Sequence, residues 1–285
     1  MKLLFRLLAR LPLRANHALG ALLGRLAYAL SPRLRRLARE NAAASGVAGP
    51  DPRRFARANA AEIGKGALEL AWVLFRPEEA IRLTRPGADW GEVERLRAGN
   101  RPILFVTPHL GAYDVAGRWL WSRLPIMAMY RPHKLAWVDA LLREGRNTGA
   151  GADGNVAPAT MAGVRKLLRH LKGGGCSVIL PDQVPGQGEG EWVAFFGRPA
   201  YTMTLLGRLQ EASGAALVFC YAERLPRAEG YAMHFVPLEG GLPRDRAAAA
   251  RRVNEMVEQL VRACPAQYLW AYNRHKRPAG APPPP

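Results

Sequence analysis

From Pro102 onward, short apolar runs alternate with amphipathic stretches. The apolar runs Ile103–Thr107, Ile126–Tyr130, Ser177–Leu180, Ala216–Tyr221, Tyr231–Pro237 and Tyr268–Tyr272 predict strands. Between them, residues 112–123, 136–146, 160–171, 202–212 and 245–263 carry helical spacing. Strand and helix taking turns in this way predict an α/β fold, a mixed and largely parallel sheet flanked by helices. Upstream, the chain after Ser31-Pro32 is predicted helical through Arg76, with a turn at Pro50 and Pro52 and Asp51 as a cap.

The front of the chain has a different texture. Between Met1 and Arg39 nine Lys and Arg residues stand among leucines and alanines with no acidic residue. Lys2, Arg6, Arg10 and Arg14 recur every four residues and form one stripe on a helix, with Leu3, Leu4, Phe5, Leu7, Leu8 and Leu11 around the rest. Pro12 should kink that helix. The second apolar run, Ala18–Leu30, is interrupted by Arg25 and is shorter than the roughly 20 residues a bilayer span needs. The pattern therefore predicts an in-plane amphipathic anchor. Two competing readings are a cleaved signal peptide, against which the recurring arginines argue, and helices that simply pack on the rest of the protein with arginine stems reaching outward. The Gly20-x-x-x-Gly24 pair alone says nothing about dimers.

The resulting organisation is residues 1–30 as amphipathic membrane-associating helices, 31–100 as a helical region packing on the core, 101–278 as a catalytic α/β domain and 279–285 as a disordered proline-rich tail. With 285 residues, 49% of them hydrophobic, the chain can fill a substantial core, which excludes global disorder. Cys176, Cys220 and Cys264 are too scattered for a zinc site or a disulfide framework. The formal net charge of +18 calls for anionic partners: nucleic acid, anionic lipid, a phosphorylated glycolipid or an acidic carrier protein. No nucleic-acid motif or array of stacking aromatics supports the first of these.

The chemistry centres on the stretch His109-Leu-Gly-Ala-Tyr-Asp114. The buried run ending in Thr107-Pro108 delivers His109 to the carboxyl edge of the sheet, where open α/β sheets bind ligands. On a continuous helix His109 and Asp114 would point about 140° apart. With His109 in the loop before the helix and Asp114 in its first turn, the carboxylate can reach an imidazole nitrogen. It would then fix the tautomer while the other nitrogen takes a proton. Gly111 allows backbone to approach a ligand closely. There is no Gly-x-Ser-x-Gly elbow and no cysteine near this histidine in sequence, so the attacking oxygen belongs to the acceptor.

His109-x4-Asp114 resembles the His-x4-Asp/Glu motif of the glycerolipid acyltransferase superfamily. The surroundings are similar to its late lipid A acyltransferase branch through Tyr130-Arg131-Pro132, Pro181-Asp182-Gln183 with Gly186-x-Gly188-x-Gly190, Phe195-Phe-Gly-Arg-Pro-Ala200, and Tyr268-Leu-Trp270 followed by Arg274-x-Lys276-x-x-Pro278. Most members of that branch carry glutamate where this chain has Asp114. The resemblance implies a glycerolipid-acyltransferase-like fold and transfer of a fatty acyl group from a thioester, with acyl carrier protein as donor, to a hydroxyl of a lipid A precursor. The location implied is the cytoplasmic face of the bacterial inner membrane. It implies His109 as base, Asp114 as its orienting carboxylate and Arg131 as a contact to phosphate or the acyl donor. Asp182, Gln183, Gly111, Arg198 and Tyr201 join the substrate-binding set.

Asp182 and Gln183 follow a strand and should share His109's sheet edge, with a purely structural role, capping the glycine-rich loop, as the competing reading. Residues 186–191 are expected to form a flap over the acceptor. Phe195, Phe196 and Tyr201 are either acyl-channel lining or core. No metal or cofactor is implied. Two rivals stay open at this point: the same chemistry on another acceptor, such as a phosphatidylinositol mannoside or a lysophospholipid-like lipid, and a non-enzymatic basic protein that binds membrane or nucleic acid.

Overall fold

The structure, a computed structural model, describes residues 2–130, 139–140, 156–186 and 188–285. Four helices open the chain: α1 (Lys2–Arg10), α2 (Leu13–Leu30), α3 (Pro32–Ala44) and α4 (Pro52–Phe75). Their boundaries follow local chemistry. Pro12 separates the first two, Ser31 accepts a hydrogen bond from the Leu34 amide ahead of Pro32, and Asp51 accepts from the amides of Arg53 and Arg54. Helix α2 lies directly on α4. A Cβ on Gly24 would stand 2.0 Å from the Ala60 carbonyl oxygen, and one on Gly20 would stand 2.7 Å from that of Gly64. The Gly20/Gly24 pair thus serves a contact within the chain. The inward face of α2 buries Leu13, Asn16, His17, Ala21 and Tyr28, so this helix is part of the packed protein.

Two short helices, α5 (Pro77–Arg82) and α6 (Trp90–Ala98), lead into a seven-stranded sheet. Its strands are β1 (Thr84–Arg85), β2 (Ile103–Val106), β3 (Ile126–Tyr130), β4 (Val156–Pro158), β5 (Cys176–Ile179), β8 (Ala216–Arg224) and β9 (Tyr231–Pro237), in the spatial order β1-β9-β8-β2-β5-β3-β4. Every pairing is parallel except β8 with β9, as the alternation of strands and helices predicts. The all-apolar β2 is buried along its whole length, and its alternate residues point to opposite faces. Ile103 and Phe105 join Trp72, Val93, Val115 and Trp119 on the side of α4–α6 and of α7 (Tyr113–Trp121). Leu104 and Val106 join Leu167, Leu206, Val257 and Leu260 on the side of α8 (Met161–Lys172), α9 (Leu205–Ser213) and α10 (Arg246–Ala263). The sheet is therefore the middle layer of three.

Two expectations change. Residues 198–203 pair as β7 with β6 (Gly190–Phe195) in an antiparallel hairpin, so the helix expected from 202 begins at Leu205. The turn is Phe196-Gly197, with φ +47 and +72, the left-handed pair a tight hairpin requires. Residues 268–272 form no strand. Trp270 N–H bonds to Tyr268 O and Tyr272 N–H to Leu269 O, and the contacts to the His109 loop stop at the Leu269 N–H bond to His109 O and the bridge of Tyr268 to Leu110. In the sheet, β5 lies between β2 and β3. The segment 136–146 and Arg131 lie outside the described residues, Asp139 and Ala140 excepted.

Candidate functional site

Strands β2 and β5 are parallel neighbours with Val106 paired to Ile179. Three residues past each paired end stand His109 and Asp182, and equal overhangs from adjacent parallel strands put them side by side at the carboxyl edge. The Asp182 carboxylate accepts from the His109 main-chain N–H at 2.9 Å and faces its imidazole Nδ1 at 2.8 Å. An aspartate this deeply buried survives as an anion only when its oxygens are occupied in this way.

That contact sets the tautomer. A carboxylate on Nδ1 requires the proton there, so Nε2 presents its lone pair, which accepts from the Gln183 side-chain amide at 3.0 Å. Burial opposes a charged imidazole, but the charge and hydrogen bond of Asp182 and the charge of Asp114 together raise the His109 pKa above its ordinary value. Burial likewise pushes the Asp182 carboxyl up, and the facing His109 and the hydrogen bonds it donates bring it below the usual carboxylate range. The Tyr113 ring packs edge-on against the imidazole at 4.9 Å. The Nδ1 partner is therefore the aspartate after β5, while Asp114, in the first turn of α7, acts on the imidazole through its charge.

The loop between β2 and α7 is held from below. Gly111, at φ +62, approaches the protein's own strand: a Cβ there would fall 2.0 Å from the Ala222 carbonyl oxygen. The Ala112 N–H bonds to that same oxygen, and the Gly111 N–H bonds to Gln267 O. Beneath Gly111 lies a buried polar cluster. Arg224 Nη2 donates to the Gly111 carbonyl at 2.9 Å and Arg224 Nε to Glu69 at 2.8 Å. Glu69 also accepts from Tyr231 OH at 2.7 Å and faces His17 of α2 at 3.0 Å. Burial alone would raise the Glu69 carboxyl, but Arg224, His17 and Tyr231 bring it down to about 2. Sequence reasoning missed this cluster. The lone glutamate in the apolar run Ala67–Phe75 and the arginine ending a buried strand were its signals.

The remaining members of the expected set divide. Phe195, Phe196 and Tyr201 are buried, Phe195 against Phe196 at 4.9 Å and Tyr201 against Trp192 at 5.3 Å. Exposed Arg198 lines a slot with Phe195, Phe196, Trp270 and Arg274, closed down to about 10 Å³. Buried Arg274 donates to Tyr201 O and Thr202 Oγ1 and so ties the β6–β7 hairpin to the segment after Tyr268. The glycine-rich stretch opens with a turn in which the Gly186 N–H bonds to the Glu189 carboxylate and the Glu189 N–H to Gly186 O. Among the described residues no group of three or more His, Cys, Asp or Glu side chains could hold a metal ion.

A model of the family described as bacterial lipid A biosynthesis acyltransferase matches residues 2–277. The chain belongs to that family. It is an acyltransferase, and its relatives include the lipid A biosynthesis palmitoleoyltransferase of Escherichia coli K12, 28% identical over 227 residues that cover 78% of this chain and 72% of the relative. The lauroyltransferase of the same organism is 27% identical over 281 residues, 97% of this chain and 90% of the relative. Its myristoyltransferase is 28% identical over 210 residues, 70% and 62%. The match to the family runs through both halves of the site, the loop after β2 and the loop after β5.

Proposed function

We propose that this acyltransferase moves a fatty acyl group from an acyl thioester, carried by acyl carrier protein, to a hydroxyl of a lipid A precursor at the cytoplasmic face of the inner membrane. The observation that carries the reading is the His109 imidazole, held through Nδ1 by Asp182 with Nε2 turned to the exchangeable Gln183 amide. An acceptor hydroxyl that displaces this amide gives its proton to Nε2 as its oxygen attacks the thioester carbonyl carbon. The tetrahedral intermediate collapses with loss of the thiolate, which takes the proton back from the imidazolium. Asp182 orients the ring and stabilises its charged form. Asp114 adds a second negative charge nearby, and Arg131 grips a phosphate of donor or acceptor.

The basic front of the chain supports the location. No helix among the described residues is long and apolar enough to cross a membrane, while Leu22, Leu23, Leu26 and Leu30 of α2 face outward. Such a helix suits an in-plane association. The test is purified His109→Ala protein with an acyl-carrier thioester and a phosphorylated glycolipid acceptor in micelles. Loss of the base should lower the rate by about 10²–10⁴-fold. Parent-like transfer by the folded variant would overturn the assignment.

A further inference from the structure

Where α2, α3 and α4 meet, their arginines line a cleft. A concavity of about 390 Å³ is walled by Arg25, Tyr28, Arg39, Arg53 and Arg57, and it runs on into a second of about 690 Å³ beside Arg54 and Asp51. Guanidinium groups thus converge from three helices. Arg39 is held in place: its Nε donates to Tyr28 OH at 2.7 Å and its guanidinium lies 5.5 Å from that ring's centre. Asp51 is the one carboxylate at the rim, and its Oδ1 accepts from the Arg53 and Arg54 amides. None of Arg25, Arg39, Arg53, Arg54 and Arg57 has a carboxylate partner among the described residues.

Guanidinium groups gathered without counter-charge match a phosphate, which they can grip with paired hydrogen bonds. The surroundings say where that phosphate comes from. Arg25 borders the outer face of α2, on which Leu22, Leu23, Leu26 and Leu30 are 53%, 45%, 47% and 81% exposed. A soluble anion has no use for this apolar stripe, whereas a bilayer offers both a phosphate plane and the acyl boundary beneath it.

We propose that the cleft between α2, α3 and α4 is a docking site for the phosphate headgroup of an anionic phospholipid, seating the outer face of α2 against the bilayer. This rests on the reading of the protein as a membrane-associated lipid acyltransferase, and it assigns the contact to specific residues outside the catalytic loops. It also sets the catalytic site's distance from the membrane. Two residues beyond Arg39, Asn41 donates to the carbonyls of Trp270 and Tyr272, and the neighbouring Leu269 N–H bonds to His109 O.

Full-length protein and two charge-matched triple variants, R25Q/R53Q/R57Q in the cleft and R165Q/R169Q/K172Q on α8, are sedimented with phosphatidylcholine vesicles with and without phosphatidylglycerol. The three arginines replaced in the cleft are exposed, and equal melting curves check folding. The cleft variant should lose affinity for the anionic vesicles on the order of 100-fold, each basic contact contributing a several-fold factor. The α8 variant should lose no more than a few-fold. Equal losses in both would reduce the effect to diffuse charge and overturn the site, as would undiminished binding of the cleft variant. Normal vesicle binding by the cleft variant together with a raised KM for a phosphorylated acceptor in micelles would make the cleft an acceptor subsite and overturn bilayer docking. Vesicle binding needs no turnover, so wild-type protein that docks but transfers no acyl group would sink the functional reading and leave the docking site standing.

Discussion

Asp182→Asn isolates what the carboxylate after β5 does for His109. Asp182 is met by two donors, the His109 N–H and Nδ1–H. An asparagine has one acceptor oxygen and turns an NH₂ toward the other. Leaving a buried donor unmatched costs about 1–3 kcal/mol. If the NH₂ faces the imidazole, Nδ1 becomes the acceptor, the proton moves to Nε2, and the base nitrogen is blocked. A loss of about 10²–10⁴-fold in kcat/KM follows, comparable to losing the base itself.

The pH profile supplies a second readout with a definite sign. A general base works when deprotonated, so the acid limb of kcat/KM reports the His109 pKa in free enzyme. In the parent, burial disfavours the imidazolium, but Asp182 and Asp114 raise that pKa above 6.5. With Asp182 neutralised, burial is opposed by Asp114 alone, so the pKa falls and the acid limb moves to lower pH as the plateau drops. Steady-state rates with a thioester donor across the pH range measure both. Parent-like turnover and an unmoved acid limb in folded Asp182→Asn protein would refute the argument. If Asp114→Asn alone were then to abolish activity, the orienting role would pass to Asp114.

Two further outcomes test the scaffold. The Glu69 carboxyl falls from 4.5 to about 2 on folding, so its contribution to stability, about 3 kcal/mol, is present above about pH 4.5 and lost as pH falls toward 2. Glu69→Gln should flatten the dependence of Tm on pH in that window. It should also cost on the order of 3–5 kcal/mol near neutrality by leaving Arg224 buried without its partner, and an unchanged Tm at pH 7 would contradict this. Gly111→Ala puts a Cβ 2.0 Å from the Ala222 carbonyl oxygen at a φ of +62. The His109 loop must shift, and acyl transfer should fall at least 10-fold, since misplacement by about 1 Å can cost on the order of 100-fold. An alanine variant with full activity would show that the loop tolerates displacement.

The amino-acid sequence by itself determined the periodic and the local. The apolar run of β2 announces a buried strand, Pro12, Ser31 and Asp51 mark helix boundaries, and alternating strands and helices call for a parallel sheet. The histidine's place at the strand end and its relation to a known acyltransferase motif were legible for the same reason, since both lie within a few consecutive residues. Tertiary structure decided which residues meet. Parallel neighbours are joined by crossovers, so adjacency in the sheet need not follow order in the chain. The β5 strand enters between β2 and β3, and Asp182 reaches the imidazole across 73 residues of sequence. A carboxylate five residues away was visible in the motif, but only the parallel register of Val106 with Ile179 could bring the other one to Nδ1. The same holds for Glu69 and Arg224, 155 residues apart, whose pairing exists because α4 and β8 each turn one buried charge toward the other beneath Gly111.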